Sequence, residues 1–273
     1  MIFGMMIGML PKPNDGFAWL QLDEGPALVS RALEPLAAHL FTTRPWPLGS
    51  ADGNRDAAWA DVARALGADA AHLERAHQVH GASVIVRRAG DPPRGNAPLV
   101  HADILVSDDP ATVLSIQTAD CVPLLIADRR TGAVAAAHAG WRGLAARVPA
   151  VAVQALGKEF GSRPEDLVAA IGPSISGPRY EVGAEVRAKF EQNGFSAAER
   201  DRWFASAARP DHYFFDGWAS ARDQLSAAGL SEDQIHLAGL CTASFPDLLC
   251  SYRRDGKAAG RIAAAIRASP RRP

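Results

Sequence analysis

Residues 112–143 read TVLSIQTADCVPLLIADRRTGAVAAAHAGWRG and contain three closely spaced apolar runs, at 112–116, 122–127 and 133–137. The second and third runs are separated by residues 128–132, DRRTG, a polar stretch ending in glycine that is typical of a hairpin turn. We therefore predict three buried strands, the last two paired as an antiparallel hairpin. Such a pairing brings the start of one strand and the end of the other to the same sheet edge.

Helices and strands alternate on both sides of this stretch. Helical spacing of apolar residues predicts helices over residues 54–66, 143–156 (interrupted by Pro149), 181–192, 217–228 and 257–267. Short apolar runs predict further strands over residues 83–87, 167–171 and 235–240. Hairpin-linked strands mixed with helices favour an α/β or α+β sandwich built on a mixed β-sheet, and not a strictly alternating barrel.

Length and composition are those of a globular protein. The chain has 273 residues, of which 48% are apolar and 22% charged, so it can bury a full core. The formal net charge of −1 provides no overall field for nucleic acid or an anionic membrane, and we expect neither as a partner. Three cysteines are too few for a disulfide scaffold and fit a reducing, cytoplasmic setting.

Turn residues are spread evenly along the chain, which favours one domain. We expect a flexible leader over residues 1–14, a single catalytic domain over residues 15–268 and a flexible tail over residues 269–273. Residues 1–10 are apolar, but they are too few to cross a bilayer, which takes about 20 residues. They also lack the basic residues that open a signal peptide.

A cysteine and two histidines are predicted to meet at one sheet edge. Cys121 lies at the start of one hairpin strand, His138 follows the other, and His80 precedes a third strand. A thiolate and two imidazoles suit Zn²⁺, and three protein ligands leave a fourth position open, as in catalytic zinc sites. The same pattern also fits a cysteine buried as a small apolar residue and histidines in ordinary hydrogen bonds.

Charged residues flank this group. Asp120 lies beside Cys121, where a carboxylate needs a hydrogen-bond partner or orients a neighbour. Arg142 lies at a glycine-flanked helix start that suits an anion, although an exposed arginine fits the pattern equally well. Cys241 and Cys250 fit buried core thiols, and residues 251–255 fit either a solvated turn or a second anion contact.

Short segments spread over nearly the whole chain carry a resemblance to a known family. They are Thr42-Thr-Arg44, Gln78-Val-His80-Gly81, Ala102-Asp-Ile-Leu105, Gln117-Thr-Ala-Asp-Cys121-Val-Pro123, His138-Ala-Gly-Trp-Arg-Gly143, Ile171-Gly-Pro-Ser-Ile175, Tyr180-Glu-Val-Gly183, Cys241-Thr242, Ser251-Tyr-Arg-Arg-Asp-Gly256 and Gly260-Arg261. In these segments and their order the chain resembles the YfiH-type laccase-domain family, also described as multicopper polyphenol oxidase-like proteins and as peptidoglycan editing factors.

The resemblance implies a fold and an activity. The fold is a single-domain α/β sandwich of layered sheets and helices with mixed β-sheets, of the CNF-like cysteine hydrolase type. The activity is that of a purine nucleoside phosphorylase, which uses phosphate to split adenosine, inosine, guanosine or methylthioadenosine into a free base and a pentose 1-phosphate. Deamination of adenosine to inosine is implied at the same site. The partners are then purine nucleosides and phosphate, and we expect a monomer or a small homo-oligomer.

The resemblance also implies a metal site, in which His80, Cys121 and His138 map onto the ligands of a zinc ion. From motif position and charge, we expect Arg142 to hold the phosphate, with Arg44 and Arg253 as helpers, and Asp120 to orient a neighbour or transfer a proton. Asp120, Cys121 and Arg142 are therefore the predicted catalytic residues.

Three alternatives stay open at this point. A copper-dependent polyphenol oxidase with Cu²⁺ in place of Zn²⁺ needs about ten histidines, typically in HxH pairs, whereas this chain has 8 histidines and no HxH. A cysteine hydrolase that edits peptidoglycan precursors would use Cys121 as nucleophile, His138 as base and Asp120 as orienter. A non-enzymatic zinc module would normally offer four protein ligands, and only three are predicted to converge.

Overall fold

The computed structural model of the protein describes residues 10–49, 55–95 and 97–269. Its strands, in chain order, are β1 (Phe17–Leu22), β2 (Gly25–Ser30), β3 (Ala37–Phe41), β4 (Leu73–Glu74), β5 (Val84–Arg87), β6 (Ile104–Ser107), β7 (Val113–Thr118), β8 (Val122–Asp128), β9 (Val134–Ala139), β10 (Leu167–Ile171), β11 (Glu181–Gly183), β12 (Phe204–Ser206), β13 (His212–Phe215), β14 (Ile235–Leu237) and β15 (Ile262–Ala268). Its α-helices are α1 (Arg55–Ala65), α2 (Trp141–Ala145), α3 (Val148–Phe160), α4 (Ala184–Gln192), α5 (Ala197–Trp203), α6 (Gly217–Ala227) and α7 (Tyr252–Asp255).

The strands form three sheets. The first has the order β1-β2-β3-β15-β7-β4, the second β14-β10-β8-β9-β6-β5, and the third β11-β13-β12. Both six-stranded sheets are mixed, because β4 pairs parallel with β7, β5 with β6, and β10 with β14, while their other pairings are antiparallel. The predicted α/β architecture with mixed sheets is confirmed.

Three apolar layers hold the sheets and helices together. Leu114 and Ile116 of the first sheet meet Leu105 and Leu125 of the second in the layer between the sheets. The outer face of the first sheet packs against α1, and the outer face of the second packs against α3 and α6. The order is thus helix, sheet, sheet, helix, which buries both faces of each large sheet.

The hairpin predicted from residues 122–137 is present and sets the position of the site. β8 and β9 pair antiparallel, with Val122 opposite Ala139 and Pro123 opposite His138. Cys121, which immediately precedes β8, therefore lies beside the end of β9. β6 pairs with the other side of β9, with Ile104 opposite Ala137.

The predicted helix over residues 257–267 is wrong, because most of this segment forms β15 between β3 and β7. Alternate residues of β15 face different layers: Ala263 and Ala265 face α1, whereas Ala264 and Ile266 face the second sheet. Alanine suits a helix by propensity, but small side chains also fit a central strand that is covered on both faces. The neighbouring strands, distant in sequence, decide the outcome.

Two other predicted helices need correction. The helix over residues 143–156 is two helices, α2 and α3, separated at Arg147, whose backbone has a left-handed φ of 62°. Pro149 then lies in the first turn of α3, where its missing N–H costs no hydrogen bond. The helix over residues 181–192 starts as β11, and only its later part forms α4.

The proposed division into leader, domain and tail stays a prediction, and residues 1–9 and 270–273 lie outside the described residues. Two described residues of the leader bond to the body of the protein. The Asn14 backbone N–H donates to the Ala238 carbonyl at 3.0 Å, and the Trp19 indole donates to the Pro11 carbonyl at 2.8 Å. In the described part of the chain, every helix is too short or too polar to cross a membrane.

Candidate functional site

The structure brings His80, Cys121 and His138 together at the end of the β8–β9 hairpin. One ligand atom from each side chain lies within 4.8 Å of the other two. The imidazole rings of His80 and His138 are edge to face, with their centroids 4.8 Å apart. His80 reaches this point from the loop before β5, where its backbone has a left-handed φ of 61°. The hairpin brings Cys121 and His138 together, and His80 reaches them from a separate loop.

Asp103, a fully buried residue just before β6, connects the loop that carries His80 to the side chain of His138. Its Oδ1 lies 2.7 Å from His138 Nδ1 and accepts the His80 backbone N–H at 3.0 Å. Its Oδ2 accepts the backbone N–H groups of Val79 and Gly81, at 3.2 and 2.7 Å. The carboxylate therefore fixes the tautomer of His138, so that Nε2 is the nitrogen left for a ligand, and anchors the loop of His80.

The Cys121 thiol and the His138 imidazole shift each other's protonation. Burial raises the pKa of Cys121, but the charge and hydrogen bond of His138, with help from His80, outweigh burial and lower that pKa to about 6. Burial lowers the pKa of His138, but Cys121 and Asp103 outweigh burial and raise it to about 9. At neutral pH Cys121 is therefore a thiolate, the form that binds a metal or attacks as a nucleophile.

Gly140 lies directly against the cluster. A Cβ atom at this position would lie 2.8 Å from Cys121 Sγ and 3.1 Å from His80 Cδ2. The Gly140 backbone is in the extended region, with φ −67° and ψ 174°, which any residue can adopt. The glycine is needed here for space around the donors and not for backbone freedom.

We expect Gly140→Ala to weaken metal binding at least about ten-fold, because the methyl group displaces the thiolate or the His80 ring. Chelator competition on the purified variant measures this loss. Gly16→Ala is the matched control, since its nearest atom would lie at an ordinary contact distance of 3.6 Å. Equal metal retention in the two variants would contradict the prediction.

Asp120 connects three segments around the cluster. Its Oδ1 accepts the Thr242 hydroxyl at 2.6 Å, and its Oδ2 accepts the Arg253 backbone N–H at 2.6 Å. Its own carbonyl accepts the Ile175 N–H at 3.0 Å, and its backbone has a left-handed φ of 85°. Both carboxylate oxygens thus hold neighbouring segments, which makes Asp120 a positioning residue for Arg253 in this geometry.

A cavity of about 610 Å³ opens beside the cluster. Its walls include the three donors and the following polar or aromatic residues: Gln78, Gln117, Thr118, Asp120, Trp141, Arg142, Tyr180, Tyr252, Arg253 and Arg261. Predicted residues Arg142 and Arg253 therefore reach the same cavity as the cluster.

The two arginines are presented differently. The guanidinium carbon of Arg142 lies 4.2 Å from the centre of the Trp141 ring system, and this guanidinium makes no hydrogen bond or ion pair within the described part of the chain. Arg253 Nη1 donates to the Glu181 carbonyl at 2.7 Å, and its guanidinium carbon lies 5.1 Å from the Tyr180 ring centre. Arg142 is thus the more available cation.

Arg44 does not reach the cavity wall. Its Nη2 pairs with Asp255 Oδ2 at 2.6 Å and donates to the Leu249 carbonyl at 3.3 Å. Hydrogen bonds from Arg254 first, and then from Arg44, lower the pKa of Asp255 to about 2. The predicted phosphate contact of Arg44 is therefore replaced by a structural one, in which Arg44 braces the turn that carries Arg253.

Residues 51–269 match the family model described as multi-copper polyphenol oxidoreductase laccase. The chain belongs to the YfiH-type laccase-domain family. It is 42% identical over 164 residues to a purine nucleoside phosphorylase of Bacteroides thetaiotaomicron, a match spanning 60% of each protein. It is 38% identical over 189 residues to purine nucleoside phosphorylase YfiH of Escherichia coli, covering 69% of this chain and 71% of that protein. The crystal structure of the Bacillus licheniformis hypothetical protein YfiH superposes with a TM-score of 0.80 at 27% identity, covering 89% of this chain and 96% of that one.

The sequence pattern assigns no role to two residues at the site of this YfiH-type chain, Asp103 and Arg261. Asp103 interrupts the apolar run of residues 102–106. A carboxylate buried in such a run needs a hydrogen-bond partner, and this is the sequence feature that could have indicated its role. Arg261 immediately precedes β15 and lines the cavity, whereas the sequence predicts that it lies within a helix. Cys241 and Cys250 are buried, as predicted, and neither lines this cavity.

Proposed function

We propose that this YfiH-type chain is a purine nucleoside phosphorylase. The observation that carries the proposal is one cavity that combines a His–Cys–His cluster, guanidinium groups and aromatic rings. The names of the Bacteroides and Escherichia relatives support it. The proposal includes cytoplasmic location, a single catalytic domain over residues 15–268, and a monomer or small homo-oligomer.

Zn²⁺ is the metal that the proposal places at His80, Cys121 and His138. One thiolate and two imidazoles are a typical zinc donor set, and three protein ligands leave room for a substrate or water. Two features of the chain fit a metal: the hydrogen bond that orients His138 through Asp103, and the space kept free by Gly140. A bound Zn²⁺ would supply Lewis acidity at this end of the cavity, toward the purine or toward water.

The remaining cavity residues bind and orient the reactants. Arg142 and Arg253 hold phosphate by charge-assisted hydrogen bonds, and Trp141, Tyr180 and Tyr252 pack against the purine or the pentose. In the reaction the C1′–N9 bond breaks, a phosphate oxygen bonds to C1′, and the phosphate proton passes to the purine. The transition state has oxocarbenium character, so holding the anionic phosphate close to C1′ stabilises it.

Asp120 supports this chemistry through Arg253. We expect Asp120→Asn to raise the KM for phosphate about ten-fold, because the amide NH₂ group is a donor, so either the Thr242 hydroxyl or the Arg253 N–H loses its acceptor. Steady-state kinetics with varied phosphate, together with zinc content, measures the effect. Thr242→Ser keeps the hydroxyl donor and serves as the control. A loss confined to kcat, with a changed pH profile, would instead assign Asp120 to proton transfer.

The four proposed substrates are adenosine, inosine, guanosine and methylthioadenosine, and adenosine is also proposed to be deaminated. Deamination needs water where phosphorolysis needs phosphate, and both fit a cavity with an open metal position. The decisive experiment is metal analysis of the purified protein, paired with product detection from adenosine with and without phosphate. Free base formed only with phosphate, from protein holding about one zinc per chain, is the expected result. Formation of inosine alone, with no free base even when phosphate is present, would overturn the phosphorylase proposal.

The alternative function, a copper-dependent polyphenol oxidase, has less support in the site. His80, Cys121 and His138 are the one group of three or more metal-competent side chains in residues 10–49, 55–95 and 97–269. A multicopper oxidase needs several such groups, whereas zinc phosphorylase chemistry needs one. Copper loading that abolishes purine cleavage and produces phenol oxidation would reverse this order.

A second candidate function, a cysteine hydrolase, is favoured by one observation. Asp103 bonds to His138, which in turn faces the lowered-pKa thiol of Cys121, so the order nucleophile, base and orienter is present. The orienter is Asp103 and not Asp120, because Asp120 bonds to Thr242 and Arg253. An acyl adduct trapped on Cys121 of zinc-depleted protein would support the hydrolase, and labelling that blocks only zinc uptake would count against it.

A further inference from the structure

A second cavity of about 460 Å³ adjoins the first. Both cavities have Trp141, Arg142, Tyr180 and Arg253 in their walls, so these side chains form the boundary between them. The first cavity is within the usual size range of small-molecule sites and suffices for a nucleoside and phosphate. The second cavity is therefore space for a group that a nucleoside lacks.

The three-stranded sheet and the start of α4 build this second cavity. β11 and β13 pair antiparallel, with Gly183 opposite His212. The turn before β13 contains Arg209, and Asp211 in this turn has a left-handed φ of 57°. The turn brings Arg209 and His212 into one wall with Arg142.

The cationic groups of this wall are available to a ligand. The guanidinium groups of Arg142 and Arg209 have no hydrogen bond or ion pair among the residues that the structure describes. His212 Nδ1 lies 2.8 Å from the Pro210 carbonyl, which leaves Nε2 as the nitrogen for a ligand. Free guanidinium groups bind phosphoryl oxygens through paired, charge-assisted hydrogen bonds.

Two carboxylates, Glu181 and Glu185, also line the second cavity. The Glu185 carboxylate folds back toward Gly183 at the start of α4, where a Cβ on Gly183 would lie 2.1 Å from its Oε2. The positive end of the helix dipole offsets this charge. Arg142 and Arg253, on the boundary, contribute positive charge to both cavities, and Arg209 adds a guanidinium group that lines only the second, so before inorganic phosphate binds three guanidinium groups face the two carboxylates.

We propose that the second cavity binds a phosphoryl group on C5′ of the pentose, so that the protein also splits purine nucleoside 5′-monophosphates. The inference rests on the proposed phosphorylase function of the first cavity. The C1′–N9 bond breaks, an oxygen of inorganic phosphate bonds to C1′, and the proton of that phosphate passes to the purine. The products are a free purine and a pentose 1,5-bisphosphate, and the reaction requires neither an oxidant nor a reductant.

The test compares inosine with inosine 5′-monophosphate as substrates of the zinc-loaded protein, each with inorganic phosphate. Arg209→Gln is expected to lower the ratio of nucleotide to nucleoside kcat/KM at least about ten-fold, because one charge-assisted phosphoryl contact is lost. Glu185→Gln is expected to raise this ratio, since it removes a repelling charge. Arg129→Gln, in the exposed turn at the far end of the β8–β9 hairpin, is the matched control and leaves the ratio within about two-fold.

Calorimetry keeps the two proposals separate. Weaker binding of inosine 5′-monophosphate to Arg209→Gln, with inorganic phosphate binding unchanged, supports the subsite even if the nucleotide is not turned over. If Arg209→Gln weakens the binding of inorganic phosphate but not of inosine 5′-monophosphate, the second cavity binds free phosphate and the proposed subsite is overturned. If inosine is split but the substitution changes neither the ratio nor nucleotide binding, the subsite is overturned and the phosphorylase proposal stands. If inosine is not split, the phosphorylase proposal fails, and nucleotide binding alone decides the subsite.

Discussion

Replacing Cys121 with alanine is expected to abolish both zinc retention and nucleoside cleavage. Cys121 supplies the thiolate of the three-donor cluster, and two imidazoles without it form a much weaker site for a divalent metal at neutral pH. The loss in kcat/KM should be at least about a thousand-fold, because metal-assisted chemistry has no substitute group in the cavity. Metal analysis and product detection from inosine on the same preparation measure both effects.

Cys241→Ala is the matched control for this substitution. Cys241 is also buried, and its sulfur accepts the Ser176 N–H at 3.4 Å, but it does not line the cavity. The control should keep its zinc and most of its activity. A zinc-free Cys121→Ala protein with full activity would contradict the metal assignment, and a zinc-bound but inactive one would indicate that Cys121 acts as a nucleophile.

Replacing Asp103 with asparagine is expected to lower both metal affinity and stability. The carboxylate accepts four hydrogen bonds. Asparagine has an NH₂ group in place of one carboxylate oxygen, and this group is a donor that cannot accept the hydrogen bonds made to that oxygen. Loss of an outer partner of a metal-binding histidine costs about 10–100-fold in metal affinity. The backbone N–H groups left without an acceptor cost about 1–3 kcal/mol each, which lowers the melting temperature by several degrees.

The pH dependence of stability provides a further check on Asp103. Burial raises the pKa of Asp103, but hydrogen bonds from His138 and from backbone N–H groups outweigh burial and hold it below its usual 3.8. A carboxyl with a lowered pKa in the folded state stabilises above its unfolded pKa, and this contribution is lost as pH falls through the folded pKa. The wild-type protein should lose this stability in acid, whereas Asp103→Asn should lack that part of the slope.

Asp109→Asn is the matched control for Asp103→Asn. Asp109 is also buried, and its carboxylate accepts the Thr112 hydroxyl at 2.6 Å and the Ala111 N–H at 3.0 Å, away from the metal donors. Its replacement should lower stability without changing metal affinity. Equal loss of metal affinity in both variants would mean that the effect of Asp103 is global and not specific to His138.

Local sequence predicts most of the second sheet but only β7 of the first. The apolar runs and the polar turn of residues 112–137 predict β7, β8 and β9, because hairpin pairing depends on neighbours in sequence. Local sequence does not predict β15, because its alanine-rich pattern fits a helix and its strand pairing depends on β3 and β7, which are far away in the chain. Long-range pairing overrode local propensity there.

The residues of the candidate site show the same difference between what local sequence predicts and what depends on distant segments. Cys121 and His138 could be brought together from the sequence because one hairpin carries both. The role of Asp103 does not follow from local sequence, because it depends on a loop and a strand from other parts of the chain. Arg44 is a similar case: its charge suggests an anion-binding role, whereas its guanidinium pairs with Asp255, which is distant in sequence. Hydrogen-bond partners between remote segments are not encoded in a local pattern.

The left-handed backbone of His80, with a φ of 61°, sets heat resistance against the proposed metal site. A non-glycine residue in this conformation costs about 1 kcal/mol or more, whereas glycine adopts it without the steric penalty. Selection for thermostability alone would therefore favour glycine at position 80, which would remove an imidazole from the cluster. Asp120, with a φ of 85°, differs, because the two hydrogen bonds of its carboxylate offset the cost of its backbone. Laboratory evolution of a more heat-resistant variant therefore has to keep His80 fixed and seek its gains in the outer layers.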